Sequence, residues 1–284
     1  MSGGAFALAL GAAVLHAGWN VLLAGSRDSV ATTGALLAFG TLVLAPAALL
    51  TGSGVSSEAL PFVAGSAALE LAYFVLLARA YRDGELGVVY PVARGSAPIV
   101  VLVLSVVGLG MGVSWIAALG VGSVASGVLL LARGTERRVP RARRDRVGIR
   151  RDRDVFFGLG IGLAIAGYTL VDSEGLAHAD PLAYLLLVTS VCAVAYCGGL
   201  MATGHGGQLK AALNPRAALT AAAVFGAYAM VLAALELAPA ASVAAVRESS
   251  VVIAALFAWL FLGEPRRLLP GALVAAGVAA IALA

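Results

Sequence analysis

Apolar stretches of about twenty residues recur along this chain, separated by short charged or Gly- and Pro-rich breaks, and a helix needs roughly 20 such residues to cross a bilayer. Ten stretches fit, at 4–24, 30–51, 60–81, 86–107, 113–132, 155–173, 181–203, 216–236, 240–262 and 267–284. The breaks at 82–85, 108–112 and 263–266 are so short that the helices they join must run antiparallel. The pattern predicts an all-α integral membrane protein with ten transmembrane helices. No Lys or Arg precedes Arg27, so the first stretch lacks the basic start of a cleaved signal sequence and is expected to remain as the first helix.

Charge gives the bundle a direction. Ten of the nineteen Lys and Arg residues lie between Arg133 and Asp154. Numbered along the chain, the odd connections hold Arg27, then Arg79 and Arg82, then that arginine-rich run, then Lys210 and Arg216, then Arg266 and Arg267; the even ones hold none. Basic residues collect in cytoplasmic loops, so loop 133–154 is expected in the cytoplasm and both termini outside, in a multi-pass protein of the inner or plasma membrane.

Composition agrees: 61% of residues are hydrophobic and 12% charged, against about 25% charged in soluble domains. Because the basic surplus sits in one loop, nucleic acid is excluded as a partner. Cys192 and Cys197 fall inside an apolar stretch and read as packing residues. Gly120, Gly127, Gly271 and Gly277 are expected points of close helix approach. Trp115 and Trp259, near segment ends, fit interfacial anchors.

Laying the second half on the first with an offset of 153 pairs Arg94-Gly95-Ser96 with Arg247-Glu248-Ser249, and Leu109-Gly110 with Leu262-Gly263. The two halves then read as a five-helix repeat over 1–132, a connecting loop over 133–154 and a second five-helix repeat over 155–284. Five helices is an odd number, so the second copy enters the membrane upside down. Such a 5+5 inverted repeat is typical of secondary transporters, whose substrate sites lie near the midplane between the copies.

Several motifs resemble the EamA-type members of the drug/metabolite transporter superfamily. They are Leu15-His16-Ala17-Gly18-Trp19-Asn20, Ala78-Arg79-Ala80-Tyr81 leading into Gly84-Glu85-Leu86-Gly87, and Val246 to Pro265 with its closing Leu262-Gly263-Glu264-Pro265. The resemblance implies a ten-helix inverted-repeat carrier of small metabolites, often an exporter of amino acids or related compounds, working by secondary transport. The sequence departs from the family in one residue: Met111 stands where the first half would often carry the glutamate seen as Glu264. The charge map, with both termini outside, also runs against the way relatives are commonly drawn.

Ionisable groups within a bilayer cost several kcal/mol unless paired or hydrated, so each is a functional candidate. Arg94 and Arg247 lie about 10–12 Å from the starts of their helices at roughly 1.5 Å per residue. They approach the midplane from opposite sides, where their planar donor forks suit a carboxylate or phosphate. Structural pairing is the alternative, with a nearby carboxylate for Arg247 and with Glu70 for Arg94. His16, Trp19 and Asn20 share one helix face and form an aromatic and polar stripe. Tyr73, Tyr90 and Tyr168 are further substrate-binding candidates, with Tyr196 and Tyr228 as weaker ones. Glu70 and Glu248 are the candidate proton-coupling groups, and Asp172 is a further ionisable residue at depth. Pro98 removes a hydrogen bond from the carbonyl of Arg94, which with Pro91 predicts a kinked fourth helix facing the pathway.

The chain has no Walker loop, no zinc-spaced His and Cys cluster and no G-x-S-x-G elbow, so no cofactor, metal or enzyme activity is expected. The expected function is secondary transport, as an exporter, of a small polar and possibly anionic metabolite, with proton coupling as the energy source if transport is active and facilitated efflux as the other option. A non-transporting membrane protein and a flippase for lipid-linked substrates stay open as alternatives, as do a monomer and a homodimer.

Overall fold

The computed structural model describes residues 1–23, 28–83, 86–108, 110, 112–133, 147–253 and 268–283. Arg27, Gly84, Glu85, Leu109, Met111, Trp259, Leu262 to Pro265, Arg266, Arg267 and residues 134–146 lie outside the described residues. The helices are α1 (Gly3–Leu23), α2 (Ser29–Leu50), α3 (Leu60–Asp83), α4 (Leu86–Val103), α5 (Trp115–Arg133) and α6 (Val147–Gly175). They continue with α7 (Pro181–Ala202), the short α8 (Gly206–Ala212), α9 (Pro215–Leu235), α10 (Ala240–Arg247) and α11 (Leu268–Leu283).

Helix starts follow local chemistry. The Asp28 carboxylate accepts from the Ala31 N–H at 3.0 Å and caps α2, and the Asn214 side chain does the same for α9 through Ala217 at 3.0 Å. Pro181 and Pro215 occupy first turns, where a missing N–H costs nothing. Among the described residues, five segments are long and apolar enough to cross a membrane, at Ser29–Leu50, Ser57–Ala80, Arg153–Gly175, Pro181–Ala202 and Pro215–Leu235. Shorter apolar helices cover Gly3–Trp19, Val92–Gly108, Trp115–Leu130 and Leu269–Ile281. The chain is a multi-pass membrane protein.

Three boundaries differ from expectation. Residues 147–154, expected in the connecting loop, are the first two turns of α6; there the Asp154 carboxylate pairs with the neighbouring Arg153 at 3.7 Å. A short helix, α8, occupies the break after α7. The ninth stretch, expected to be continuous from 240, is interrupted at Glu248 and resumes at 249–253. There the Glu248 N–H bonds to Ala245 O at 3.1 Å and the Val251 N–H to Glu248 O at 3.0 Å, the tighter i−3 pattern that often marks a functional hinge. Helix α4 runs through Pro91 and Pro98, and its irregular turn comes later, as a π-type segment at Leu104–Gly108.

Small residues set the closest approach. A Cβ on Gly120 would lie 2.8 Å from the carbonyl oxygen of Gly277, and one on Gly127 2.8 Å from that of Pro270, so α5 and α11 touch backbone to backbone. Gly271 makes only ordinary contact, with Val252 at 3.7 Å. The thiols of Cys192 and Cys197 pack inside, on the carbonyls of Ala67 and Gly34 at 3.4 Å. Trp115 is exposed at the start of α5.

The packing pairs repeat. α1 lies on α9 and α3 on α6; α4 lies on α6 and α1 on α10; α2 lies on α9 and α3 on α7. Exchanging α1 with α6, α2 with α7, α3 with α9 and α4 with α10 converts each pair into its mate. At one end of the bundle the α2–α3 and α6–α7 connections are tied by an antiparallel bridge between Val55 and Ala179. Ser56 donates to His178 O at 3.0 Å, and the Gly54 N–H donates to the Asp180 carboxylate at 2.8 Å. At the other end Ser29 donates to Ala78 O at 3.4 Å and the Tyr196 hydroxyl to Val30 O at 3.3 Å.

Candidate functional site

A cavity of about 80 Å³ lies between α1, α2, α3, α6, α9 and α10. Its wall is largely aromatic, with Trp19, Tyr73, Phe74, Tyr168, Phe225 and Tyr228, and its polar contributors include His16, Thr33, Glu70 and Arg247. The rings brace one another edge to face. His16 and Trp19 are 4.8 Å apart, Tyr73 and Tyr168 5.9 Å, and Tyr168 and Tyr228 5.8 Å, so three tyrosines on α3, α6 and α9 form a continuous chain. Such pairs prefer this tilted geometry and hold each other's orientation.

Arg247 and Arg94 are both buried, yet they differ in use. Arg94 does not line the cavity; its Nε lies 2.9 Å from Oε2 of Glu248, and its guanidinium donates to Ser250 Oγ at 3.3 Å. Arg247 faces the cavity, with the Tyr168 hydroxyl near it. Among the described residues it forms no ion pair.

Two further carboxylates lie deep in the bundle. Asp172, on α6 and fully buried, accepts from Ser66 Oγ at 2.5 Å and from the Tyr228 hydroxyl, and Tyr184 stands beside it. Glu70, one turn after Ser66 on α3, lines the cavity. Tyr228 is also near Glu70, but its single proton points to Asp172, and neither Glu70 oxygen accepts a well-formed hydrogen bond among the described residues.

The fold thus gathers His16, Trp19, Tyr73, Tyr168, Arg247 and Glu70 around one space. It sets Arg94 and Glu248 beside it as a pair. The side chains of Asn20 and Tyr90 lie outside the described residues. Tyr196 is not on the cavity wall; Tyr228 is. Sequence reasoning passed over Phe74, Phe225, Thr33, Ser66 and Tyr184. Ser66 was legible, since i and i+4 share a helix face and Glu70 was already singled out; the others became visible only when the helices met. No group of three or more His, Cys, Asp or Glu side chains suited to a metal ion occurs among the described residues.

The site can hold a small molecule by aromatic contact while a guanidinium takes an anionic group. Residues 153–284 match the model of the EamA-like transporter family. No curated protein matches the sequence. A solved structure described only as "Crystal structure of protein" aligns over 100% of this chain and 98% of its own, with a TM-score of 0.77 and 14% identity, a likeness of fold alone. The second half of the chain is thus similar to a family of membrane transporters.

Proposed function

We propose that the protein is a secondary transporter that exports a small polar metabolite, an amino acid or a related compound with an anionic group, by alternating access at the aromatic cavity. The observation that carries this reading is the cavity itself, enclosed by helices of both halves, with Arg247 facing into it. His16, Trp19, Tyr73 and Tyr168 would contact the cargo, with Asn20 and Tyr90 assigned on sequence alone. Arg94 would act through its bond to Glu248, as a positioning residue. The coupling proton falls to Glu70 rather than Glu248, because Glu248 is already matched to a guanidinium.

The exchange of packing pairs between the halves supports a ten-span 5+5 inverted repeat, with copies over 1–132 and 155–284. The charge map supports the arginine-rich end as the cytoplasmic one and both termini outside. Substrate near the meeting of two inverted copies is the general arrangement of such carriers.

The test is counterflow of labelled amino acids and other small carboxylates in proteoliposomes. The wild type should accumulate at least one of them, and Arg247→Ala should lose tenfold or more of that rate. No accumulation of any compound, or full activity in Arg247→Ala, would refute the proposal.

A further inference from the structure

A second hollow, of about 450 Å³, lies at the end of the bundle where the Val55–Ala179 bridge ties the two loops, and it shares no residue with the central cavity. Its wall comes from α1, the end of α2, the start of α7 and α9. On α9 it takes Ala229, Met230 and Ala233, whereas the central cavity takes Ala227, Tyr228 and Val231. The two spaces therefore lie on different faces of one helix.

The hollow is graded from polar to apolar. Thr51 and Asp180, the residues that cap α2 and α7, form its rim together with Ser53. Leu8 lies five positions beyond Gly3, the first residue of α1, and Met230 five before Leu235, the last of α9, roughly 8 Å deeper at about 1.5 Å per residue. Beside the rim, Leu49, Leu50 and Leu237 are exposed. A polar rim at the helix ends above an apolar floor matches the boundary between lipid head groups and acyl chains.

Charge selects the head group. Asp180 accepts from the Gly54 N–H through Oδ2 at 2.8 Å, which leaves Oδ1 for a ligand, and Glu236 stands close enough to feel its charge. The connections at this end, 51–59, 176–180 and 236–239, hold no Lys or Arg, and the His178 ring is held by Glu58 at 3.1 Å. The hydroxyls of Thr51 and Ser53, 2.6 Å apart, add acceptor lone pairs. A primary ammonium has three N–H donors to spread over such acceptors. A trimethylated head group has none, and an anionic one would meet two carboxylates.

We infer that this hollow holds a phospholipid with a primary-amine head group, its ammonium on Asp180 and an acyl chain along Leu8 and Met230. Leu8 and Thr51 belong to the first half of the chain, Asp180 and Met230 to the second. The bound lipid therefore braces the seam between them, next to the loop tie. Nothing in this depends on what the central cavity carries.

Native mass spectrometry of the purified protein in mixed micelles tests it. Offered equal amounts of phosphatidylethanolamine and phosphatidylcholine with the same chains, the wild type should retain the former by up to about fivefold, the preference that one exposed ion pair gives. Asp180→Asn keeps an acceptor for Gly54 but removes the charge, and should lose the preference. Glu58→Gln, at the same end but outside the hollow, should keep it. A thermal melt of each variant confirms that it is folded. Equal retention of the two lipids, a preference for phosphatidylglycerol, or an undiminished preference in folded Asp180→Asn would overturn the inference. So would displacement of the lipid by soluble phosphoethanolamine at equal concentration, since the hollow would then belong to a polar solute.

Discussion

Arg94 and Glu248 meet at 2.9 Å between α4 and α10, one from each half of the chain. The repeat register places Glu248 opposite Gly95, so the same bond cannot form in the other direction. Gly95 instead packs against Leu129 of α5, where an added Cβ would come within 2.9 Å. Arg247 has no carboxylate at the corresponding place and faces the cavity instead.

Breaking a buried ion pair from one side leaves an uncompensated charge, at a cost of about 3–5 kcal/mol. Arg94→Ala and Glu248→Ala should each lower the melting temperature of the purified protein markedly. The double variant Arg94→Met with Glu248→Met should recover most of the loss. A double variant as unstable as either single one would show that the pair contributes more than charge matching.

Backbone contact between α5 and α11 admits no side chain. Gly120→Val and Gly277→Val should each cost roughly 1–3 kcal/mol or more by overpacking. Gly122→Val, two residues from the contact and with nothing within 4 Å of its added Cβ, should be tolerated. Thermal melts and yields of monodisperse protein check all three.

Beyond the end of α9, Glu236 is held above its ordinary titration range by partial burial and then by the nearby Asp180. A carboxyl raised on folding keeps more protons in the native state, so its contribution to stability falls as pH rises from 4.5 through the raised value. Glu236→Gln should therefore raise the melting temperature slightly at neutral pH and leave it unchanged in acid. The group is exposed, so the effect is small; a lower melting temperature at neutral pH would contradict the assignment.

The bridge between Val55 and Ala179 joins a loop of each half. If the halves pivot about this tie, a disulfide between Val55→Cys and Ala179→Cys should form readily and leave transport within about twofold of the wild type, since such a pair suits disulfide spacing. Abolition of transport on oxidation, restored by reductant, would place the pivot elsewhere.

Much of the helical layout was legible before any coordinates, because apolar runs of spanning length and the basic residues between them are one-dimensional signals. Gly120, Gly127 and Gly277 were legible for the same reason. The partners of the buried charges were not. Sequence could mark Arg94 and Arg247 as equivalent, but not that Glu248, adjacent to one, would close upon the other. Nor could it place Tyr228 between Glu70 and Asp172, since three helices far apart in the chain must pack before one proton has two claimants. The two polar turns at the start of α6 were missed because a dense run of arginines reads as a loop whether or not it is helical.

In α10 the residue that faces the cavity and the residue that fastens α4 are consecutive. One peptide unit separates them, at the place where the regular helical ladder gives way. A molecule that drew on the side chain of Arg247 would therefore tug the clasp at Glu248, so that filling the chamber and slackening the seam between the halves would become a single event.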